Sequence, residues 1–130
     1  MIQLFTVHEK EDLIKAIQAI RQRIFWKKGK DQLHLVKRRN MGHISSKSSL
    51  CDYEMIISQL VHGNNVLYLY EFGEKHFYAV RGFFESKEWL VIFGSGGLME
   101  TAFPPDDMDD YLYRRGFVLI GPLEEILTWT

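Results

Sequence analysis

The feature of this sequence that most constrains its fold is a series of short β-type segments that begins after Asn65. Turn signals at FGEK, FFESKE and GSGG separate segments that are rich in Val, Ile, Tyr and Phe. The segments are VLYLYEF, KHFYAVRGF, EWLVIFG and LMETAF. Connections this short allow only hairpins, because a parallel pair needs a crossover of about a dozen residues or more. The spacing therefore predicts an antiparallel meander of about four strands, which Pro104 and Pro105 end.

A helical pattern precedes the sheet. Thr6 and Glu9 have the spacing of a capping box, and an apolar stripe with the period of a helix follows them. The stripe comprises Leu13, Ile14, Ile17, Ile20 and Ile24. The pattern predicts a first helix from about residue 7 to residue 28, with Gly29 at its end. We expect the stripe to pack on one face of the sheet.

A second helix is predicted immediately before the meander. Ser49 or Asp52 can cap this helix, and Gly63 stops it. Its apolar face comprises Tyr53, Ile56, Ile57, Leu60 and Val61. The stretch DQLHLVKRR between the two helices fits either a short strand or a helical piece. After the acidic cluster DDMDD we expect a short helix at YLYRRG and a last apolar piece, FVLIG.

These patterns predict the α+β class, with N-terminal helices packed on a single antiparallel β-sheet of about four strands. A chain of 130 residues is large enough to bury one core, so residues 1–130 are expected to form a single domain. The domain has a basic helical half, residues 1–63, and an acidic β-meander half, residues 64–130.

Several protein classes are excluded by composition. The longest apolar stretches, such as LVIF at 90–93, fall far short of the roughly 20 residues that a membrane span needs. The N-terminal MIQLFTVHEKED carries charge too early for a signal peptide. Cys51 is the only cysteine, which excludes an internal disulfide and a multi-cysteine zinc site. We therefore expect a cytoplasmic protein with no membrane contact.

Charge divides the chain into two unlike parts. Residues 1–50 contain 11 Lys and Arg and 4 Asp and Glu, a balance of +7, whereas residues 51–130 contain 5 and 13, a balance of −8. The basic run predicts an RNA-binding surface, because cations release counterions from a polyanion and interleaved aromatic rings stack on bases. Its predicted RNA-binding residues are Arg21, Arg23, Lys27, Lys28, Lys30, Lys37 and Arg38. A solvated helix face is the other interpretation of such a run.

The stretch RRNMGHISSKSS, residues 38–49, lies between the two predicted helices. Together with the helix DYEMIISQLVH, the strands and the final GGLMETAFPP, it resembles the catalytic domains of the barnase, EndoU, colicin and RelE group of small ribonucleases, especially the versions in phage proteins and bacterial polymorphic toxins. In that group a histidine after a basic stretch precedes the helix. The closing strand commonly ends in a glycine, a threonine, a small residue, an aromatic residue and a proline, which are here Gly97, Thr101, Ala102, Phe103 and Pro104. The likeness covers roughly residues 35–105.

The resemblance implies a metal-independent ribonuclease that cleaves RNA through a 2′,3′-cyclic phosphate, as a toxin of a toxin–antitoxin or phage-borne system. Such cleavage needs proton transfer and cations that hold the charge of the phosphorane, and it needs no metal or other cofactor. His43 suits the role of general base or acid, because an unperturbed histidine pKa is about 6.5. Arg39 and Lys47 are expected to clamp the phosphate, and the Thr101 hydroxyl to bond a phosphate oxygen or orient the ribose.

A second group of candidate residues lies on the second predicted strand. Alternation puts His76 and Tyr78 on one face and Arg81 on the other, so these three side chains cannot all line one cleft without a bulge. The GSGG segment is followed by a strand and not by a helix, so a hairpin turn is favoured over a nucleotide-binding loop. No pair of histidines has a close helical spacing, and we predict no metal site.

A second class of function stays open. The alternative is a non-catalytic binding module: an immunity or antitoxin-like protein that presents DDMDD to a basic partner, or an RNA-binding domain without catalysis. The expected partners are therefore RNA and a cognate antitoxin or immunity protein. Convergence of His43, Arg39 and Thr101 on a cleft favours the nuclease, whereas a continuous acidic face with exposed aromatic residues favours the binding module.

Overall fold

The protein folds around one mixed β-sheet. The computed structural model describes residues 5–129. Residues 1–4 belong to the N-terminal segment in which the sequence predicts no signal peptide, and they lie outside the described residues. The helices are α1 (Val7–Gln22), α2 (Lys30–Asn40), α3 (Leu50–His62), α4 (Met108–Arg115) and α5 (Leu123–Ile126). The strands are β1 (Phe25–Trp26), β2 (Val66–Phe72), β3 (Lys75–Phe84), β4 (Lys87–Gly94), β5 (Leu98–Phe103) and β6 (Val118–Pro122). The predicted α+β class with a single sheet is confirmed.

The predicted meander forms the centre of the sheet. Strands β2 to β5 are neighbours in chain order and pair antiparallel throughout. Alternation along β3 also follows the prediction, because Tyr78 and Val80 enter one hydrophobic cluster and Ala79 enters the cluster on the other face.

The sheet differs from the predicted four or so antiparallel strands by one additional strand at each edge, of which β1 is parallel to its neighbour. Among residues 5–129 the strand order is β1-β5-β4-β3-β2-β6. The short strand β1 pairs with β5 in parallel, and β6 pairs with β2 antiparallel. The hairpin argument holds only for strands that follow one another, and the long chain between β1 and β5 supplies the crossover that a parallel pair requires. FVLIG, predicted only as an apolar piece, contributes Val118, Leu119, Ile120 and Gly121 to β6.

Helix α3 has the predicted cap and the predicted buried face. Ser49 and Asp52 form a reciprocal capping box, and the chain leaves the helix at Gly63. The five apolar residues of its face are buried in the main core. Burial of a side chain of this size contributes about 1.5–3 kcal/mol, so this face holds α3 on the sheet.

Helix α1 is shorter than predicted. It begins with the predicted capping box of Thr6 and Glu9 but ends at Gln22, because Arg23 adopts an extended conformation that leads into β1. Ile24 therefore lies outside the helix, although it still packs against the core. Gly29 does not end α1 either; it is the N-cap of α2, which resolves DQLHLVKRR as a helix.

The GSGG turn allows α1 to approach the sheet closely. Gly97 has a φ of +80°, and a Cβ at this position would lie 2.8 Å from the Cβ of Ala19. Only glycine combines this backbone conformation with this contact. Leu13, Ile17 and Ile20 consequently reach the main core, as the apolar stripe predicts.

The opposite face of the sheet is covered by α4. Met108 and Leu112 of this helix pack on Ala79, Leu90 and Ile92. Asp107, within the acidic cluster, caps the helix by accepting a hydrogen bond from the backbone N–H of Asp110. Among the described residues, every helix is too short or too polar to cross a membrane.

Candidate functional site

The position of His43 is fixed by the way in which α2 ends. Gly42 has a φ of +74° directly after the C-cap residue Met41. Its backbone N–H donates to the Arg39 carbonyl at 3.1 Å, and the N–H of His43 donates to the Arg38 carbonyl at 2.9 Å. These two bonds are the Schellman arrangement that a glycine after the C-cap permits. The backbone of His43 is therefore fixed by hydrogen bonds to the end of α2, two residues after the C-cap.

Arg38 contacts the imidazole of His43 from the same turn. The Arg38 side chain is only 5% exposed, and its Nη1 lies 3.2 Å from His43 Nδ1. Its Nη2 donates to the thioether of Met41 at 3.9 Å, and its guanidinium lies 5.3 Å from the centroid of the Phe103 ring. Because a guanidinium can only donate, Nδ1 is the acceptor and the neutral ring carries its hydrogen on Nε2.

The buried guanidinium has no counter-charge within the described part of the chain. Among residues 5–129, Arg38 forms no ion pair, and its Nε has no hydrogen-bond partner. Burial lowers the pKa of Arg38 below its ordinary value. The group nevertheless stays charged, since an arginine side chain does not deprotonate in proteins.

His43 itself is half-buried beside an aromatic wall. Its ring meets Trp89 edge to face, with centroids 6.5 Å apart. Burial lowers the pKa of His43, and the charges of Arg38 and Lys87 act in the same direction, whereas the charge of Asp106 opposes them. The imidazole is therefore neutral at neutral pH, which is the state that a general base needs.

Three clefts lined by described residues meet at His43. The largest, about 590 Å³, lies between α2 and α4, and we call it the arginine cleft; its lining includes His34, Lys37, Arg38, His43, Phe103 and Tyr111. A second, about 370 Å³, which we call the serine cleft, includes Ser45, Ser48, Glu85, Ser86, Lys87 and Trp89. A third, about 400 Å³, includes Ser86, Lys87, Glu88, Pro104 and Asp106. Of the described residues, His43 lines all three.

A second histidine lies in the arginine cleft, one turn before Arg38. His34 is 9% exposed, and its Nδ1 has no hydrogen-bond partner among the described residues. Burial lowers the pKa of His34 to about 4, and the charges of Lys30, Arg38 and Lys37 add to the effect. His34 is therefore neutral under ordinary conditions and adds no second positive charge beside Arg38.

The other three predicted catalytic residues do not line the clefts that meet at His43. Arg39 donates from Nε and Nη2 to the Ser48 carbonyl, at 2.8 and 2.5 Å, and so ties the two ends of the loop together. Lys47 is exposed. Thr101 lines a separate pocket of about 220 Å³, which adjoins the arginine cleft because both are lined by Tyr111 and Arg115.

The second group of predicted residues has structural partners. His76 lies 3.0 Å from the Glu71 carboxylate. Tyr78 is buried, and its hydroxyl donates to Asp12 of α1, so burial and that carboxylate raise its pKa. On the other face, Arg81 binds Glu88 and Asp109, and it also donates to the Tyr68 hydroxyl.

The predicted RNA-binding residues differ in their exposure and in whether they already have partners within the chain. Arg21 donates to the Val61 carbonyl and pairs with Glu124, and Lys27 pairs with Glu100 at 3.6 Å. The Arg23 guanidinium stacks over the ring of Phe25. Arg38 is buried, contrary to the exposed position that a basic run predicts. The remaining cations comprise Lys28, Lys30 and Lys37, of which Lys30 is half-buried and the other two are exposed.

One group of described residues has the donor set of a metal site. Atoms of Glu9, Glu71 and His76 lie within 4.8 Å of one another. Glu9, however, is already engaged in the capping box with Thr6, and Glu71 pairs with His76. These contacts explain the proximity of the three side chains without a metal ion.

The sequence pattern does not predict three of the site residues, which are Lys87, His34 and Asp106. Lys87 begins β4, and Asp106 follows the proline pair, so only the folded sheet brings them to His43. A local signal exists for His34, because it precedes Arg38 by four residues and therefore shares its helix face. Gly42 is a local signal of the helix end that fixes His43.

Comparison with protein-family models, with curated protein sequences and with solved structures finds no match to this chain.

Proposed function

We propose that this chain is a metal-independent ribonuclease in which His43 transfers the proton. The observation that carries the proposal is the position of His43: a neutral imidazole, half-buried against Trp89, at the point where three clefts meet and in contact with an unpaired guanidinium. A loop histidine without a role is not expected to have a depressed pKa and cations on two sides.

The chemistry requires one proton to move from the nucleophile to the leaving group. His43 takes the proton of the 2′-hydroxyl while the 2′-oxygen forms a bond to phosphorus. The bond between phosphorus and the 5′-oxygen then breaks, and the imidazolium returns the proton to that oxygen. The products are a 2′,3′-cyclic phosphate and a 5′-hydroxyl, and no metal takes part.

The Arg38 contact prepares His43 for this role. In the free protein the acceptor nitrogen Nδ1 is occupied by Arg38. A phosphate that takes the donors of Arg38 frees Nδ1 to act as the base, and its negative charge raises the pKa of the ring toward the value that proton return requires. The cations Arg38 and Lys87 then face the charge that develops on the phosphorane, an effect that typically contributes 10²–10³ in rate per donor.

The remaining predicted residues take different parts in this proposal. Arg39 shapes the loop through the Ser48 carbonyl and does not clamp the phosphate. Thr101 lies in the adjoining pocket, where its hydroxyl suits contact with a neighbouring nucleotide. A toxin role, and a cognate antitoxin or immunity protein as partner, belong to the same proposal.

The binding-module alternative depends on free acidic charge, and three of the four carboxylates of the acidic cluster are engaged within the chain. Asp107 caps α4, Asp109 pairs with Arg81, and Asp110 pairs with Arg114 at 2.8 Å. A carboxylate that is engaged within the chain contributes little to recognition of a basic partner.

The test is cleavage of single-stranded RNA in the presence of a chelator, scored for 2′,3′-cyclic phosphate ends. His43→Ala should lower the rate on the order of 10²-fold or more while its thermal unfolding stays close to that of the wild type. His62→Ala is the matched control, because His62 is exposed and, among the described residues, bonds only to Ser58 of its own helix. Equal rates for wild type and His43→Ala would remove His43 from the mechanism, and absence of cleavage by the wild type would refute the proposal.

A further inference from the structure

The arginine cleft contains a buried positive charge that the described part of the chain does not neutralise. Arg38 is 5% exposed and forms no ion pair within residues 5–129. Its polar contacts are an imidazole nitrogen and a thioether, and its Nε has none. A thioether is a weak acceptor, so the guanidinium has donor capacity that the fold does not use.

A buried charge without a partner is costly, and native proteins rarely retain one without a use. The neighbouring groups make the cost larger. Lys37 adds a second positive charge at the same cleft, and His34 Nδ1, within the described part of the chain, is a second buried polar atom without a hydrogen-bond partner. Of the carboxylates at the cleft, Asp107 caps α4 and Asp110 pairs with Arg114, and Asp106 forms no ion pair with Arg38.

We propose that the arginine cleft is a nucleotide-binding subsite in which Arg38 binds the phosphate. Arginine suits this ligand because its planar fork matches two phosphate oxygens. Phe103 and Tyr111, an edge-to-face pair with centroids 5.2 Å apart, give the cleft an apolar wall for the ribose or base. The volume of about 590 Å³ lies within the range of small-molecule sites.

Access to the guanidinium requires only a small change. Met41 covers Nη2, and it is 62% exposed at the end of α2, so its side chain can move into solvent at little cost. Phosphate oxygens then replace the thioether and the His43 nitrogen as acceptors. Binding at this subsite does not depend on cleavage. In the proposed reaction, however, phosphate binding to Arg38 is the step that frees His43 Nδ1.

The experiment is thermal unfolding and calorimetric titration of the whole chain with adenosine 3′-monophosphate, inorganic phosphate and unphosphorylated adenosine. Both phosphate probes should raise the melting temperature, by roughly 5–10 °C at a hundredfold excess over the dissociation constant, and adenosine should not. Arg38→Met should weaken binding of the nucleotide by roughly 10–100-fold, and Arg38→Lys should weaken it less. Lys15→Met, an exposed cation on α1, is the charge-matched control.

Equal binding by wild type and Arg38→Met, or no effect of either phosphate probe on the wild type, would overturn the proposal. If Arg38→Met does not fold, the Nε–Hε resonance of Arg38 in the wild type must shift on phosphate titration, and a resonance that stays in place is a negative result. The outcome is separable from that of the proposed function. His43→Ala should still bind the nucleotide, and a chain that binds it without cutting RNA retains the subsite and loses the nuclease.

Discussion

Two arginines of this structure, Arg81 and Arg38, show opposite ways of holding a guanidinium. Arg81 of β3 binds the carboxylates of Glu88 and Asp109 at 2.6 and 2.9 Å and donates to the Tyr68 hydroxyl. These partners raise the pKa of Arg81. Arg38 is more deeply buried, at 5% exposure, and has no carboxylate partner among the described residues. Burial lowers its pKa.

We infer from this difference that the charge of Arg81 stabilises the fold, whereas the charge of Arg38 is available to a ligand. Arg81 links two strands to α4 with partners inside the chain. Arg38 lies next to the neutral His43 and His34, both of which have lowered pKa values. Perturbed groups that gather around a cleft, without compensation, are typical of functional sites.

The largest expected effect is on catalysis. Arg38→Met should lower the rate of RNA cleavage by roughly 10²–10³-fold, because it removes the donor that stabilises the phosphorane charge. Arg81→Met, assayed at a temperature at which it is folded, should retain cleavage within a few fold. A comparable loss in both variants, measured as initial rates with a chelator present, would contradict the separation of the two arginines.

The second effect concerns salt. Arg21 and Lys27 are paired with carboxylates, so we expect only about four phosphates to be neutralised on binding of single-stranded RNA, by cations that include Lys37 and Lys87. Affinity should then fall roughly 50-fold between 50 and 200 mM salt, at a slope of about 0.7 per phosphate. Lys37→Met should reduce the slope by about 0.7, whereas Arg21→Met should not. A filter-binding titration in which the two variants have the same slope would show that pairing does not decide which cations contact RNA.

A smaller effect is the acid sensitivity of the arginine cleft. The pKa of His34 is about 4 in the folded chain and about 6.5 when unfolded, so the unfolded state binds the proton first as the pH falls. Stability should therefore decrease from about pH 6.5 to pH 4, by at most about 3 kcal/mol from this residue, and level off below. His34→Leu should remove this decrease in the free energy of unfolding, measured by urea unfolding at a series of pH values. An unchanged slope in the variant would mean that His34 is not held neutral.

The parts of the fold that local chemistry determines are predictable from the sequence. The capping box of Ser49 and Asp52 and the period of the α3 face lie within one short segment, and the structure agrees with both. The meander is equally local, since each pairing joins consecutive segments. Strands β1 and β6 are not predictable in this way, because their partner strands lie far away in the chain and no hairpin turn connects them.

The candidate site is predictable only in part for the same reason. The cation-rich stretch and Gly42 indicate His43, but they do not show that Arg38 faces inward. Its burial depends on Phe103, which lies in the last strand of the meander, and its lack of a carboxylate partner depends on where the acidic cluster folds. A run of basic residues predicts exposure, and here the fold buries one of them.

The most direct test compares the free energies of unfolding of Arg38→Met and Arg81→Met in low-salt buffer free of phosphate. Replacement of an uncompensated buried charge by an apolar side chain should leave the protein as stable as the wild type, or more stable by about 1–2 kcal/mol. Loss of the partners of Arg81 should destabilise the protein by about 1–3 kcal/mol. Urea unfolding that finds Arg38→Met destabilised as much as Arg81→Met would show that Arg38 is a structural residue and not a charge held for a phosphate.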